Sequence, residues 1–108
     1  MKLSIALAVA VAMTATSAIA AENSSKVAEQ LGNLLASEKA CGLTYNREAI
    51  EAFIRERISP TDLDFPALLQ TDTSFAVHFQ IENMSESHLV AHCYQIRTLA
   101  KQYKLIGE

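Results

Sequence analysis

The chain has 108 residues, half of them hydrophobic, and carries nine Lys and Arg against twelve Asp and Glu. This length supports one hydrophobic core and excludes several domains. The net charge of −3 excludes the usual electrostatic nucleic-acid binder, which needs a basic surface to neutralise phosphates. The hydrophobic residues are unevenly distributed, since 15 of them lie among the first 20 positions.

Residues 1–20 contain the three parts of a secretory signal peptide in their usual order. Lys2 supplies a positive charge, residues 3–13 form an apolar segment, and Ala18-Ile19-Ala20 is a small-x-small cleavage site. The apolar segment is too short to span a bilayer, which requires about 20 residues. We therefore expect cleavage before Ala21, no stable membrane insertion afterwards, and a periplasmic or secreted protein.

Cys41 and Cys93 are the two cysteines of the chain. An even number of cysteines in an exported protein predicts a disulfide, because the compartments outside the cytosol are oxidising. The bond would close a loop of about 53 residues and, on the chain-entropy model, stabilise the fold by roughly 4 kcal/mol. The two residues do not form the Cys-x-x-Cys motif of a redox-active pair, so their predicted role is structural.

The predicted mature domain, residues 21–108, contains four segments with the apolar spacing of amphipathic helices. Ser24 or Ser25 precedes the first segment as a candidate N-cap, and Gly42 ends it just after Cys41. Its apolar residues share one helical face: Val27, Leu31, Leu34 and Leu35. We expect a helix that presents this face to the core.

The second segment begins after Asn46, a favourable N-cap residue, and ends at Pro60, which cannot continue a helix. Tyr45 and Ile50 have the spacing of a hydrophobic staple around this cap. The other residues of its face are Phe53, Ile54 and either Ile58 or Arg57. A second amphipathic helix is therefore expected here.

A connector, residues 61–66, leads to the third segment, and Pro66 suits the first turn of a helix. The apolar residues of this segment continue at helical spacing: Leu68, Leu69, Phe75, Ala76 and Phe79. A half-buried strand is an alternative for residues 76–82, because apolar and polar residues alternate there. We favour a helix because no second strand is predicted that could pair with this one.

Ser85 is the candidate N-cap of the fourth segment, and Gly107 follows its end. One face of this segment is regularly apolar: Leu89, Cys93, Ile96, Ala100 and Tyr103. Four amphipathic helices joined by short connectors predict an all-α fold class. We expect a small bundle of about four helices, cross-linked by one disulfide, after a cleaved signal peptide.

His88 and His92 are four residues apart on the fourth predicted helix, so both imidazoles can project from one face. Such a pair is half of a common zinc or copper site, to which His78, Glu82 or Glu86 could add a third ligand. The glutamate of a His-Glu-x-x-His metalloprotease motif is missing between the two histidines. We therefore interpret them as boundary residues beside the buried face and keep a small metal-binding protein as an alternative.

The sequence contains no motif of an enzyme active site. His92 and Cys93 are neighbours that point about 100 degrees apart on a helix, which prevents a thiolate–imidazolium pair. Asp62 and Asp64 lack the further ligands of a calcium loop, so capping and turn formation are expected of them. Glycine-rich phosphate or dinucleotide motifs and a G-x-S-x-G motif are absent. We predict no catalytic residues and no cofactor.

Three stretches carry a resemblance to a known family: residues 40–43 (Ala-Cys-Gly-Leu), the apolar residues Ile50, Phe53 and Ile54, and residues 91–93 (Ala-His-Cys). They resemble a family of small exported alphaproteobacterial proteins that has no established function. The layout is also similar to that of HdeA-type periplasmic acid-stress chaperones, which combine a signal peptide, a short helical chain and one disulfide. The second similarity is one of architecture and implies no functional residues.

These observations favour a non-enzymatic exported protein that binds other envelope proteins, with protection against acid stress as its concrete form. Near pH 4, protonation of His78, His88 and His92 and of roughly half of the carboxylates would change the charge of the predicted mature chain from −4 to about +5. Besides metal binding, the alternative function is that of an inhibitor or accessory subunit of an exported enzyme.

Overall fold

The computed structural model describes the backbone of residues 15–107 and the side chains of residues 24–107. This part of the chain forms four α-helices, in the order α1 (Ala15–Ser37), α2 (Arg47–Arg57), α3 (Phe65–Phe79) and α4 (Glu86–Gln102). A short 3-10 helix, Ile81–Asn83, connects the last two helices, and the described residues contain no strand. The predicted all-α class with about four helices is confirmed, and residues 76–82 run from the end of α3 through a turn at Gln80 into the 3-10 helix rather than forming a strand.

The predicted signal peptide lies mostly outside the described residues. The last part of it, from Ala15 onwards, belongs to α1, which continues past the predicted cleavage site before Ala21. The prediction that Ser24 or Ser25 begins the first helix is wrong for this chain, because a serine caps a helix only where the preceding backbone is non-helical. Within the described residues, no helix combines the length and the apolarity needed to cross a bilayer.

The first helix ends at Ser37, and a further turn, residues 38–42, continues to Gly42. The backbone N–H of Gly42 donates to the Lys39 carbonyl at 3.1 Å, and that of Leu43 donates to the Glu38 carbonyl at 2.8 Å. This pair of hydrogen bonds is a Schellman motif. Gly42 occupies its left-handed position with a φ of +67°, where a residue without Cβ avoids strain.

Side-chain caps begin α2 and α4 as predicted. The Asn46 side chain accepts a hydrogen bond from the Ala49 N–H at 2.8 Å, and the Ser85 hydroxyl accepts one from the His88 N–H at 3.1 Å. Each bond satisfies one of the N–H groups that have no acceptor within the helix. The two caps fix where these helices start, and hence which residues face the core.

The connector before α3 contains the two aspartates that the sequence assigns to capping and turns. Asp64 occupies the N-cap position of α3, as predicted, but its side chain makes no capping hydrogen bond. Asp62 instead accepts a hydrogen bond from the Ser24 hydroxyl of α1 at 2.9 Å. This bond ties the α2–α3 connector to α1. Pro66 lies in the first turn of α3, as expected.

The central element is α1, which contacts α2, α3 and α4 and packs most extensively against α3. Gly32 is buried where α1 meets α3, and a Cβ atom there would lie 3.1 Å from Asp72 Cβ and 3.2 Å from the Thr73 nitrogen. These distances are shorter than ordinary van der Waals contact. The absent side chain of Gly32 therefore sets how closely the two helices approach.

The core contains apolar side chains from all four helices and from the residues that follow α4: Val27, Leu31, Leu34, Phe53, Ile58, Phe65, Ile96 and Leu105. Tyr45 is buried among them, and its hydroxyl donates to the Leu34 carbonyl at 2.7 Å. Burial, with a further contribution from the negative charge of Glu38, raises the pKa of Tyr45 to about 12. The phenol thus remains a neutral hydrogen-bond donor across the physiological range.

A second Schellman motif ends α4. The N–H of Lys104 donates to the Lys101 carbonyl at 3.0 Å, and that of Leu105 donates to the Ala100 carbonyl at 2.8 Å. Lys104, rather than Gly107, takes the left-handed position, with a φ of +65°. Leu105 and Ala100 are both fully buried, which is the apolar contact that often accompanies this motif. Burial of Leu105 therefore places a lysine in a conformation that favours glycine.

Lys104→Gly should stabilise the protein by about 0.5–1 kcal/mol, because it removes the Cβ strain while adding some entropy to the unfolded chain. Urea unfolding should show a higher midpoint with an unchanged m-value. The matched control is Lys101→Gly, which removes the same charge from a helical position and should destabilise by about 1 kcal/mol. Equal effects of the two substitutions would contradict the strain at Lys104.

Candidate functional site

The predicted disulfide between Cys41 and Cys93 is present. It joins the turn after α1 to the middle of α4, with the two Cα atoms 5.4 Å apart. Both cysteines are buried, and the sequence contains no other. The bond therefore holds the end of α1 against α4 independently of the packing around it.

His92, next to the disulfide in sequence, forms a second link between these helices. Its Nε2 atom lies 2.8 Å from the hydroxyl of Ser37, the last residue of α1. Ser37 has no exposed surface, and its hydroxyl donates to the Asn33 carbonyl at 2.7 Å. Because that bond uses the hydroxyl proton, Ser37 accepts a hydrogen bond from the Nε2–H of His92. The neutral imidazole is thereby assigned its Nε2–H tautomer.

The position of His92 makes its positive form unfavourable. Burial in the first place, and the nearby His88 in the second, lower the pKa of His92 below its ordinary value of 6.5. The groups that meet its ring from α1, the Ser37 hydroxyl and beyond it the Asn33 carbonyl, do not titrate. Protonation would therefore add a positive charge to this contact, one helical turn from His88.

The structure separates the three histidines that the sequence singles out. His88 is exposed on α4, one turn before His92, whereas His78 is exposed near the end of α3. The His78 Nδ1 atom lies 3.3 Å from a carboxylate oxygen of Glu82, an exposed ion pair when the imidazole is protonated. His92 is thus the histidine that connects two helices, and its partner there is Ser37.

The residues around the histidines include groups that metal binding or catalysis would require. Among the described residues, no three His, Cys, Asp or Glu side chains are close enough together to hold a metal ion. The hydrogen bond between Ser37 and His92 has the composition of a nucleophile and its base. However, Ser37 has no exposed surface and its proton is directed to the Asn33 carbonyl, so the hydroxyl is inaccessible to a substrate. This contact is structural and sensitive to protonation.

Two phenylalanines of α3 form an exposed aromatic pair. The rings of Phe75 and Phe79 stack with centroids 5.0 Å apart, and the residues are 54% and 67% exposed. Phe75 also lines an open cavity of about 560 Å³ together with Glu29 and Asp72. Both phenylalanines continue the helical apolar spacing of this segment, but they do not lie on the buried face of α3. The close contact at Gly32 turns Asp72 and the small Ala76 towards α1, which leaves the aromatic rings beside this contact and exposed.

Sequence reasoning missed Ser37 and the exposure of the aromatic pair. Ser37 could have been found, because it continues the apolar spacing of α1 between Leu34 and Cys41, where a polar residue needs a partner. The exposure of Phe75 and Phe79 carries no comparable signal, since it depends on the rotation of α3 against α1.

Replacing Cys93 by Ser should lower the free energy of unfolding by about 2–5 kcal/mol, because the loop between the two cysteines is then no longer closed in the unfolded chain. Urea unfolding of the variant and of wild type measures the difference. Cys41→Ser should have a comparable effect, and so should reduction of the wild-type protein. Two alkylatable thiols in protein isolated without a reducing agent would contradict a native disulfide.

Replacing His92 by Gln should reduce the loss of stability that accompanies a fall in pH below about 6.5. The folded pKa of His92 is lowered, so its contribution to stability is fully present above about pH 6.5 and is lost as the pH falls through the folded value. Glutamine keeps an N–H donor towards Ser37 but does not titrate. Urea unfolding across this range measures the effect, with His78→Gln as the control. Identical pH profiles for wild type and His92→Gln would contradict it.

Comparison with models of protein families, with curated proteins and with solved structures finds no match to this chain. The resemblance to small exported alphaproteobacterial proteins and the architectural similarity to HdeA-type chaperones therefore stay predictions. What the protein does has to be inferred from the contacts, burial and charge of its own residues.

Proposed function

We propose that this chain is a non-enzymatic periplasmic protein that binds apolar segments of other envelope proteins and protects them from aggregation in acid. The observation that carries the proposal is the stacked pair Phe75 and Phe79, exposed on one side of α3. Aromatic side chains bring a large apolar contact area and are enriched at protein–protein interfaces. A small domain gains nothing in its own stability from leaving two such rings in water.

Other apolar side chains are also exposed to solvent. Among residues 24–107, Leu63, Val90 and Tyr94 are 84%, 72% and 70% exposed. Single exposed apolar residues are common on protein surfaces and need no explanation. The stacked aromatic pair differs from them because it forms one continuous apolar area on a rigid helix. It is therefore the feature that favours binding of another protein.

The acid response is assigned to the contact between α1 and α4. In acid, His92 becomes cationic within a half-buried contact, and His88 becomes cationic one turn away on the same helix. Both changes weaken the packing of α4 on α1. The disulfide beside His92 keeps the two helices connected, so the chain can loosen and expose its apolar residues without dispersing.

The change in overall charge in acid also favours loosening of the helices. The predicted mature chain changes from a charge of −4 at neutral pH to about +5 near pH 4, which adds repulsion among its helices. Positive charge also keeps a loosened chain soluble while its apolar residues hold a client. The alternative to an acid-activated chaperone is an ordinary acidic protein that is destabilised by acid and binds no client.

Two features of different kinds support an exported location. A disulfide is typical of proteins that fold outside the reducing cytosol, which agrees with the predicted signal peptide. The periplasm is the specific compartment that we propose, because its pH follows the exterior and its proteins experience acid directly. The proposal involves no catalytic residue and no cofactor.

The mature domain should reduce light scattering of an acid-sensitive client protein at pH 3–4, and the double variant Phe75→Gln/Phe79→Gln should protect less than wild type. Glutamine keeps the helix propensity, so α3 should fold unchanged. Val90→Gln is the matched control, because it removes an exposed apolar side chain from a different helix.

Equal scattering with and without the domain would contradict the chaperone proposal. Full protection by the double variant would show that clients bind elsewhere. Co-purification of the tagged domain from its native envelope at neutral and acidic pH distinguishes a chaperone from an inhibitor or accessory subunit of an exported enzyme. One stoichiometric enzyme captured at neutral pH would favour an inhibitor or accessory subunit instead.

A further inference from the structure

A second cavity, separate from the aromatic pair and from the histidines, lies between α2 and the residues that end α4. Its volume is about 330 Å³. The small side chains of Ala49 and Ala52 line it from α2, and Tyr103 lines it from the end of α4. A cavity of this size is at the lower end of those that hold small organic ligands.

A positively charged side chain is held in place at this cavity. The guanidinium of Arg57 stacks on the Phe53 ring at 3.8 Å from its centroid and lies 5.4 Å from the centroid of Tyr103. The two rings are themselves packed edge to face, 5.0 Å apart. One amino group of Arg57 also donates to the Phe53 carbonyl at 3.1 Å. These contacts fix the orientation of a planar group that is suited to bidentate recognition of an oxyanion.

The charge of Arg57 is only weakly balanced within the protein. About a third of its side chain is exposed, and among the described residues its ion pair is with the neighbouring Glu56, at 3.5 Å. The Glu56 side chain is 70% exposed and is therefore a weak partner. Both contacts, to Glu56 and to the Phe53 carbonyl, use the same amino group of Arg57. Among the described residues, no hydrogen bond involves the other nitrogens of the guanidinium, so they can donate to an added oxyanion.

A second cation lines the same cavity. Lys104 is the residue held at a φ of +65°, in a conformation that favours glycine. With Arg57 and Lys104 against Glu56, the cavity is positive within a chain whose net charge is −3. A local excess of positive charge in an acidic protein favours an anion at this place. Strained backbone beside a cavity is also frequent at ligand-binding sites.

We propose that this cavity binds a small oxyanion, a carboxylate or a phosphate, attached to a short apolar or aromatic stem. The oxyanion is held by Arg57 and Lys104, and the stem lies against Ala49, Ala52 and the Tyr103 ring. The site uses none of the residues that carry the proposed chaperone function. Either proposal can therefore be wrong without affecting the other.

The test uses benzoate, phenyl phosphate and inorganic phosphate as probes, and NMR titration of the disulfide-bonded domain as the measurement. Benzoate and phenyl phosphate should shift the amide signals around the cavity in a saturable way, with Kd values of roughly millimolar for ligands of this size. Inorganic phosphate should bind more weakly because it lacks the stem. Benzamide, the neutral analogue of benzoate, should not bind, and added salt should weaken binding of the anions.

Substitutions at Arg57 and Lys104 test whether these two residues bind the anion. Arg57→Gln should lower the affinity at least about tenfold, whereas Arg55→Gln, on the same helix but outside this cavity, should leave it unchanged. Because Arg57→Gln also removes the stacking on Phe53, Lys104→Gly provides the independent test. It should weaken binding several-fold although it is expected to stabilise the fold.

Three outcomes would overturn the proposal. The first is the absence of saturable shifts with all three anions up to about 10 mM, a concentration above the expected Kd. The second is equal binding of benzamide and benzoate, which would remove the role of the charge. The third is unchanged affinity in Lys104→Gly. Preference for benzoate or for phenyl phosphate distinguishes a carboxylate ligand from a phosphate ligand.

Discussion

The buried face of α1 is the constraint on which the rest of the structure depends. The other three helices all contact it, and a domain of about this length buries only roughly 60–65% of the surface of its unfolded chain. Two devices make this limited packing sufficient. Gly32 lets α3 approach closely, and the disulfide from Cys41 to Cys93 holds the end of α1 against α4.

At that contact the physical chemistry is polar rather than apolar. Ser37 is fully buried, so its hydroxyl needs both a donor and an acceptor, and His92 and the Asn33 carbonyl supply them. A lysine or arginine would satisfy the serine at every pH, whereas an imidazole does so without charge at neutral pH and with charge in acid. The same residue pair that completes the fold therefore makes its stability depend on pH. The adjacent disulfide limits how far the helices separate.

The two surfaces proposed for binding differ in their chemistry and in the elements that form them. The aromatic pair of α3 is apolar and exposed, which suits extended apolar segments of other proteins. The cavity beside Arg57 and Lys104 is small and positive, which suits a small anion. The aromatic pair is exposed because the packing of α3 on α1 turns other residues of α3 towards the core. The cavity is positive because stacking on Phe53 holds the Arg57 guanidinium in place beside it.

Local signals in the sequence determined the fold class, the starts of α2 and α4, and the cross-link. Asn46 and Ser85 cap the helices they precede, Gly42 ends the turn after α1, and the two cysteines are bonded, because each of these depends on a few neighbouring atoms or on simple pairing. The tertiary structure alone decided which side of α3 faces α1, that Ser37 meets His92, and that Lys104 adopts a left-handed conformation. These features depend on how the helices are rotated and spaced relative to one another. The spacing of apolar residues along the sequence does not determine that rotation, because several residues of each amphipathic face can lie at the centre of the helix contact.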